Sequence, residues 1–360
     1  MSLSIQQLNS DCTFLFTFSP ASSTSGHTDH LAGTFNILVD PWLAGESSVL
    51  HPSFQYTRHT EKPHITSLAD FKQKLDLIII SQDKPDHCHR ETLCTLPKNQ
   101  QVNILTTPAA AKKIKSWNYF SQDLIHVIPA YDPKRDNEST LTIKLPSHTP
   151  SGLEGEITIT HIPPTRLDLT KVHNGIAITY RPPDNIFPNL EEQRSQPFHD
   201  HDPPSSSPAT TPTPPPPSPP TLSILYTPHG LSPQALRPYL KTHLLPRTIT
   251  ADKKPTLTTL IHSLSHDVNP TCLGGTVVHG APGGLAILHS LRSVHPDLEA
   301  RFWVGAHDGP VERGGWSVRW LKCRGYGVAE TQGLVEGEGF GGTRVVGLGG
   351  GGVLRVESSS

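Results

Sequence analysis

Nine consecutive residues, Ser81-Gln82-Asp83-Lys84-Pro85-Asp86-His87-Cys88-His89, put two aspartates, two histidines, a lysine and a cysteine into one short segment. Neutral imidazole and carboxylate are ligands for Zn²⁺, Fe²⁺ and Mn²⁺. Asp86 and His87 fit that role, while Gln82 and Lys84 stand where further histidines would be wanted. A protonated lysine cannot ligate, and glutamine is a poor ligand for zinc. Two later segments repeat the pattern of an apolar run that delivers a polar group: 222–226 leads into His229, and 301–306 leads into His307-Asp308. Three or four such groups around an open position would hold a water and bring its pKa toward neutral, which is hydrolytic chemistry.

Each of these residues also has an ordinary explanation. Asp86 is placed to cap a helix starting near His89. With 21 histidines in the chain, any single one is weak evidence of a ligand. His307-Asp308-Gly309 reads equally well as a turn after a strand. Cys88 between two histidines is more often a buried structural thiol than a reactive one.

The elements that must position these groups are legible as short apolar runs. Strands are expected over 12–18 and 35–39, the second stopped by Asp40-Pro41-Trp42 because Pro41 removes a ladder donor. The run over 75–80 is continuous and β-branched, as in a strand covered on both faces. A helix is expected over 67–74 with Ser67 as its cap, a short one over 90–96, and another over 108–117 with proline in its first turn. Strands over 103–105 and 123–128 complete a β/α alternation. Antiparallel strands follow over 141–144, 156–161 and 175–180.

Residues 188–221 change character to Ser, Thr and Pro, and end in a proline run. Such composition cannot bury enough apolar surface to offset ordering entropy, so a disordered insertion is expected. It offers a docking segment for a protein partner, or is simply an expanded surface loop. The halves 1–187 and 222–360 then form one domain, the second with a Gly-rich C-terminal segment. In that half we expect strands over 222–226, 257–263, 301–306, 343–346 and 353–356, with helices over 233–240 and 283–294. Trp316 and Trp320, four apart on an expected helix, read as core.

Composition narrows the function. Lys plus Arg total 30 against 32 Asp plus Glu, a balance that leaves no footprint for nucleic acid or an anionic membrane. The five cysteines form no close pair, which argues against a disulfide framework. No apolar run reaches the roughly 20 residues of a membrane helix. A soluble, cytoplasmic protein is the expectation.

Motif order adds a family resemblance. The chain resembles the metallo-β-lactamase fold superfamily: 35–42 looks like its early strand ending in Asp40, and 77–89 like its signature strand and H-x-H-x-D-H loop. The segment 226–230 looks like the strand delivering a bridging Asp, and 304–307 like the one delivering a last His. The resemblance implies an α/β (α+β) fold, a four-layer αββα sandwich, and a hydrolase activity. Aligned on Asp86-His87, its two leading histidines fall on Gln82 and Lys84, and its bridging Asp falls on His229. Asp86, His87 and His307 survive, with His229 as a fourth ligand, so the first metal position is lost and one divalent ion is implied, with zinc ahead of iron or manganese. Lys84 then replaces a lost positive charge beside Asp86. The family's intervening histidine, expected near 128–131, has no clear counterpart, since His126 falls within a strand. Two functions fit: a mononuclear hydrolase of an ester, amide or phosphodiester, with Asp308 orienting a ligand histidine, or a catalytically silent binding or scaffolding module.

Overall fold

The computed structural model of the protein describes residues 1–20, 34–147, 152–168, 170–183, 221–249 and 254–357. Apart from its last residue, Thr221, the insertion expected over 188–221 lies outside the described residues.

The chain's most apolar run becomes the strand Leu77–Ile80, buried at every position. It pairs in parallel with Phe35–Val39 on one side and Asn103–Thr106 on the other. That is an interior setting suited to β-branched side chains on both faces. Among the described residues the first sheet runs, in spatial order, Val353–Glu357, Ser2–Gln7, Phe14–Ser19, Phe35–Val39, Leu77–Ile80, Asn103–Thr106 and Ile125–Val127. The second runs Arg344–Val346, Glu299–Gly305, Thr256–His262, Leu222–Tyr226, Gly175–Arg181, Gly155–Ile162 and Thr140–Leu145. Each sheet has a parallel block and an antiparallel block joined at a central strand. The C-terminal strand Val353–Glu357 pairs with Ser2–Gln7, which ties the end of the chain into the first sheet.

Three apolar layers separate four structural ones. Phe14, Phe16, Ile37 and Ile79 of the first sheet meet Ile159, Ile178, Ile224 and Val304 of the second. Outside the first sheet, Ile78, Ile80 and Ile104 pack with Leu93 of helix Arg90–Leu93 and Ile114 of helix Pro108–Ser116. Outside the second, Leu260 and Trp303 pack with Leu236, Leu288 and Val335 of helices Pro233–Tyr239, Gly280–Val294 and Val328–Gly337. This is the αββα sandwich that the sequence resemblance implied. Among the described residues, no helix is long and apolar enough to cross a membrane.

Two expectations are corrected and a third point is new. Residues 67–74 form only a single 3₁₀ turn, Leu68–Asp70, although Ser67 does cap it. Asn36 takes over from there: its amide donates to the Lys74 carbonyl, and its backbone N–H donates to Asp76. Those bonds hold the chain extended against the strand edge and override the helical spacing. Trp316 and Trp320 lie on a 3₁₀ turn, Trp316–Trp320, and are 45% and 43% exposed, so they are not core. The third is an omission, the strand Ser2–Gln7, whose alternating burial is plain in the fold but whose polar Ser and Gln content hides it in the sequence.

Candidate metal centre

The parallel blocks bring several strand ends to one edge, where sites gather in layered α/β proteins. Phe35–Val39 ends in Asp40, Leu77–Ile80 leads to Asp86-His87, Leu222–Tyr226 to His229, and Glu299–Gly305 to His307. Asp40 is fully buried in the left-handed region, φ +45°, a conformation Asp tolerates better than most residues. Its carboxylate accepts from the Ser81 backbone N–H at 2.7 Å, the Ser81 hydroxyl, the Tyr226 hydroxyl at 2.7 Å and His87 Nδ1–H at 2.7 Å. It therefore fixes the strand end and the ring orientation of His87 together.

The three histidines share one device. His87 Nδ1–H is held by Asp40, His229 Nδ1–H donates to the Val277 carbonyl at 3.1 Å, and His307 Nδ1 pairs with Asp11. With each Nδ1 engaged, each Nε2 is the nitrogen left for other work, and that is how ligand imidazoles are oriented. His229 Nε2 lies 2.8 Å from His87 Nε2. Because His229 spends its proton on Val277, His87 donates in that contact and carries protons on both nitrogens.

The electrostatics agree with this assignment. Burial opposes charge on His87, but the carboxylates of Asp86 and Asp40 outweigh it and raise its pKa. Burial, with His307 and His87 nearby, pushes His229 well below the ordinary imidazole value, so it is neutral and ready to ligate. Burial also opposes charge on His307, yet Asp11 prevails and raises its pKa to about 9. Asp11 is buried too, and His307 holds its carboxyl well below the usual range.

Ligand atoms of Asp86, His229 and His307 all lie within 4.8 Å of one another. Ligands on one tetrahedral ion sit about 3.4 Å apart, so small side-chain rotations would close the set. His87 stands beside this trio, its Nε2 3.6 Å from Asp86 and engaged with His229. A cavity of ≈ 550 Å³ opens above, lined by Asp11, Asp86, His229 and His307, with Trp42, Phe54 and Val311 among its apolar walls. Such a volume accommodates a small-molecule substrate.

Several sequence expectations resolve differently. Asp308 does not orient a ligand histidine; its carboxylate accepts from the N–H groups of Leu264 and Ser265 and the Ser263 hydroxyl, stapling the neighbouring loop. Asp11 orients His307 instead. Asp86 is not a helix cap, since His89 caps Arg90–Leu93 by accepting from the Thr92 N–H. Lys84 lines the cavity with Asp86, but its ion pair is with Asp83 at 3.8 Å. His126 faces outward and bonds Asn103. Gln82 is buried with neither amide atom partnered among the described residues, and nothing about it suits a cation. Cys88 is buried, and that burial pushes its thiol up to about 12, as a structural cysteine.

Two positions escaped sequence reasoning. Asp11 lies in the hairpin between the first two strands, and its one signal is the preceding Asn9, whose side chain accepts from the Asp11 and Thr13 N–H groups in an Asx-type turn. Tyr226 ends an apolar strand like any core aromatic, and only the fold shows its hydroxyl on Asp40.

No family model and no curated protein matches the chain. Among solved structures it is similar to isothiocyanate hydrolase from Delia radicum gut bacteria, at 15% identity over 98% of both chains with a TM-score of 0.48. It is also similar to unliganded yeast PDE1, at 10% identity over 96% of this chain and 98% of that one, with a TM-score of 0.47. The chemistry of the centre rests on this chain's own residues.

Proposed function

We propose that the protein is a hydrolase that uses one divalent metal ion, zinc in the first instance, held by Asp86, His229 and His307 with His87 as a further ligand, the ion displacing the Nε2 protons of His307 and His87 as it binds. The observation that carries this is the common orientation of the three imidazoles, each pinned through Nδ1 by Asp40, Val277 or Asp11. The rings so held bring His229 and His307 together with the Asp86 carboxylate, their ligand atoms within 4.8 Å of one another, beneath a cavity, which is how a ligand set is arranged. The donor set of imidazoles and a carboxylate suits Zn²⁺, Fe²⁺ or Mn²⁺.

When bound, such an ion polarises a carbonyl or phosphoryl oxygen and makes a water nucleophilic near neutral pH. The chain's own groups do the rest. Asp40 keeps the His87 ring in place, and Ser81 and Tyr226 in turn fix Asp40. The apolar walls exclude water from the reacting end of a substrate. Lys84, in the cavity lining beside Asp86, supplies a cation where an ester, amide or phosphodiester oxygen gains charge.

Protein purified without chelator, assayed on p-nitrophenyl acetate and bis(p-nitrophenyl) phosphate, tests this. We expect turnover of one of them that falls at least about 100-fold on His229→Ala, the scale of losing a metal ligand or its support. Turnover that is unchanged in His229→Ala and in Asp86→Ala would contradict the proposal, as would its absence with metal bound. A binding or scaffolding module would then be the better reading.

A further inference from the structure

The hairpin behind His307 holds a second group of ligand type. Asp11, Cys12 and His307 place a carboxylate oxygen, a thiol sulfur and an imidazole nitrogen within 4.8 Å of one another. Asp11 and Cys12 are almost wholly buried, at 2% and 1% exposed. One oxygen, Asp11 Oδ1, accepts both from Cys12 Sγ–H at 3.4 Å and from His307 Nδ1–H. Sulfur and oxygen on one tetrahedral zinc would lie about 3.6 Å apart, close to the separation already present. The charge around the thiol is also unusual. Beside its burial, the carboxylates of Asp11, Asp86 and Asp40 all act on Cys12 and oppose its thiolate unless a cation joins them.

We propose that Asp11, Cys12 and His307 form a second cation seat, distinct in ligand type from the Asp86–His229–His307 set and selective for a thiophilic ion such as Zn²⁺ or Co²⁺ over Mn²⁺ or Mg²⁺. Filling it exchanges protons for metal. The Cys12 S–H proton and the proton shared between His307 Nδ1 and Asp11 leave to solvent, and one divalent cation takes their place. The net charge of the cluster is unchanged by that exchange, so the buried site meets no new charge. His307 then faces this seat through Nδ1, and it also serves the first set only when its Nε2 proton leaves on binding there, so a ring shared by two ions is an imidazolate. Thiolate is a soft ligand, and that is the basis of the selectivity.

The seat rests on its own three residues and shares only His307 with the proposed hydrolytic set, so the two can fail separately. The probe is Co²⁺ titrated into full-length protein stripped of metal, followed by absorbance. A thiolate-to-cobalt charge-transfer band in the near ultraviolet is expected at saturation. Cys12→Ser should abolish the band and lower the stoichiometry by one ion, and Asp11→Asn should weaken binding at this seat by at least tenfold. Asp86→Ala should remove the other equivalent while leaving the band. No band from saturated wild-type protein overturns the proposal, whatever the variants do. A band that persists in folded Cys12→Ser also overturns it, by assigning the sulfur to another cysteine. A band with no loss of an equivalent in Asp86→Ala would instead count against the first set.

Discussion

Asp40 is the residue on which the centre turns. Its carboxylate collects four donors in a fully buried position, on a left-handed backbone. Removing the acceptor strands a buried imidazole N–H and the Ser81 N–H and hydroxyl at once, while the Tyr226 hydroxyl keeps the Cys12 carbonyl, so the cost is the desolvation of several donors rather than one hydrogen bond. Asp40→Ala is expected to destabilise the fold by about 3–5 kcal/mol, measured by urea unfolding. Tyr226→Phe, which removes one donor and leaves the carboxylate its others, should cost about 1 kcal/mol. Equal costs for the two would mean that Asp40 does not organise the cluster. At this scale the sequence was partly readable. Asp86, His87, His229 and His307 each follow an apolar run, so strand-end logic finds them. Asp11 does not follow one, and its partnership with His307 spans nearly the whole chain.

Among the elements, the contact between helix Gly280–Val294 and strand Glu299–Gly305 fixes how closely the outer layer approaches the second sheet. Gly284 lies against the ring of Trp303, where a Cβ would come within 2.0 Å of Cη2. Trp303 is itself tied through its indole N–H to the His262 carbonyl, so it has nowhere to move. Gly284→Ala should therefore cost about 1–3 kcal/mol as overpacking. Gly333, inside helix Val328–Gly337, meets nothing within 4 Å, and Gly333→Ala should stabilise by about 0.5–1 kcal/mol through helix propensity. Opposite signs in thermal denaturation check both. The same scale shows where pattern reading gives out. The helical spacing over 67–74 is real, yet Asn36 supplies better partners to an extended chain. Long-range hydrogen bonds of that kind leave no local mark in a sequence.

For the whole molecule, burial of neutral histidines sets the response to acid. Burial holds His161 and His279 each at about 4. Unfolding exposes them and returns them to about 6.5. Between those values the unfolded chain binds more protons than the folded one, so stability falls as pH drops from about 6.5 toward 4. A urea midpoint that declines over that window, and declines less in His161→Gln, is the expected result. A flat midpoint across the same range would contradict it. The layered α/β architecture was legible because both sheets are built from short apolar runs of strand length, interrupted by turn-forming residues, while the four-layer sandwich came from the family resemblance in motif order. What the sequence could not show is how the two parallel blocks meet, and the proposed centre lies at that meeting.

The claim that Asp86, His229 and His307 hold an ion can be seen directly. Crystals of protein purified without chelator, with diffraction recorded on both sides of the zinc absorption edge, would locate any bound zinc. The account predicts an anomalous peak within about 2.0–2.2 Å of an Asp86 oxygen and of the Nε2 atoms of His229 and His307. Zinc-supplemented crystals with no peak there, and His87 still hydrogen-bonded to His229, would contradict it.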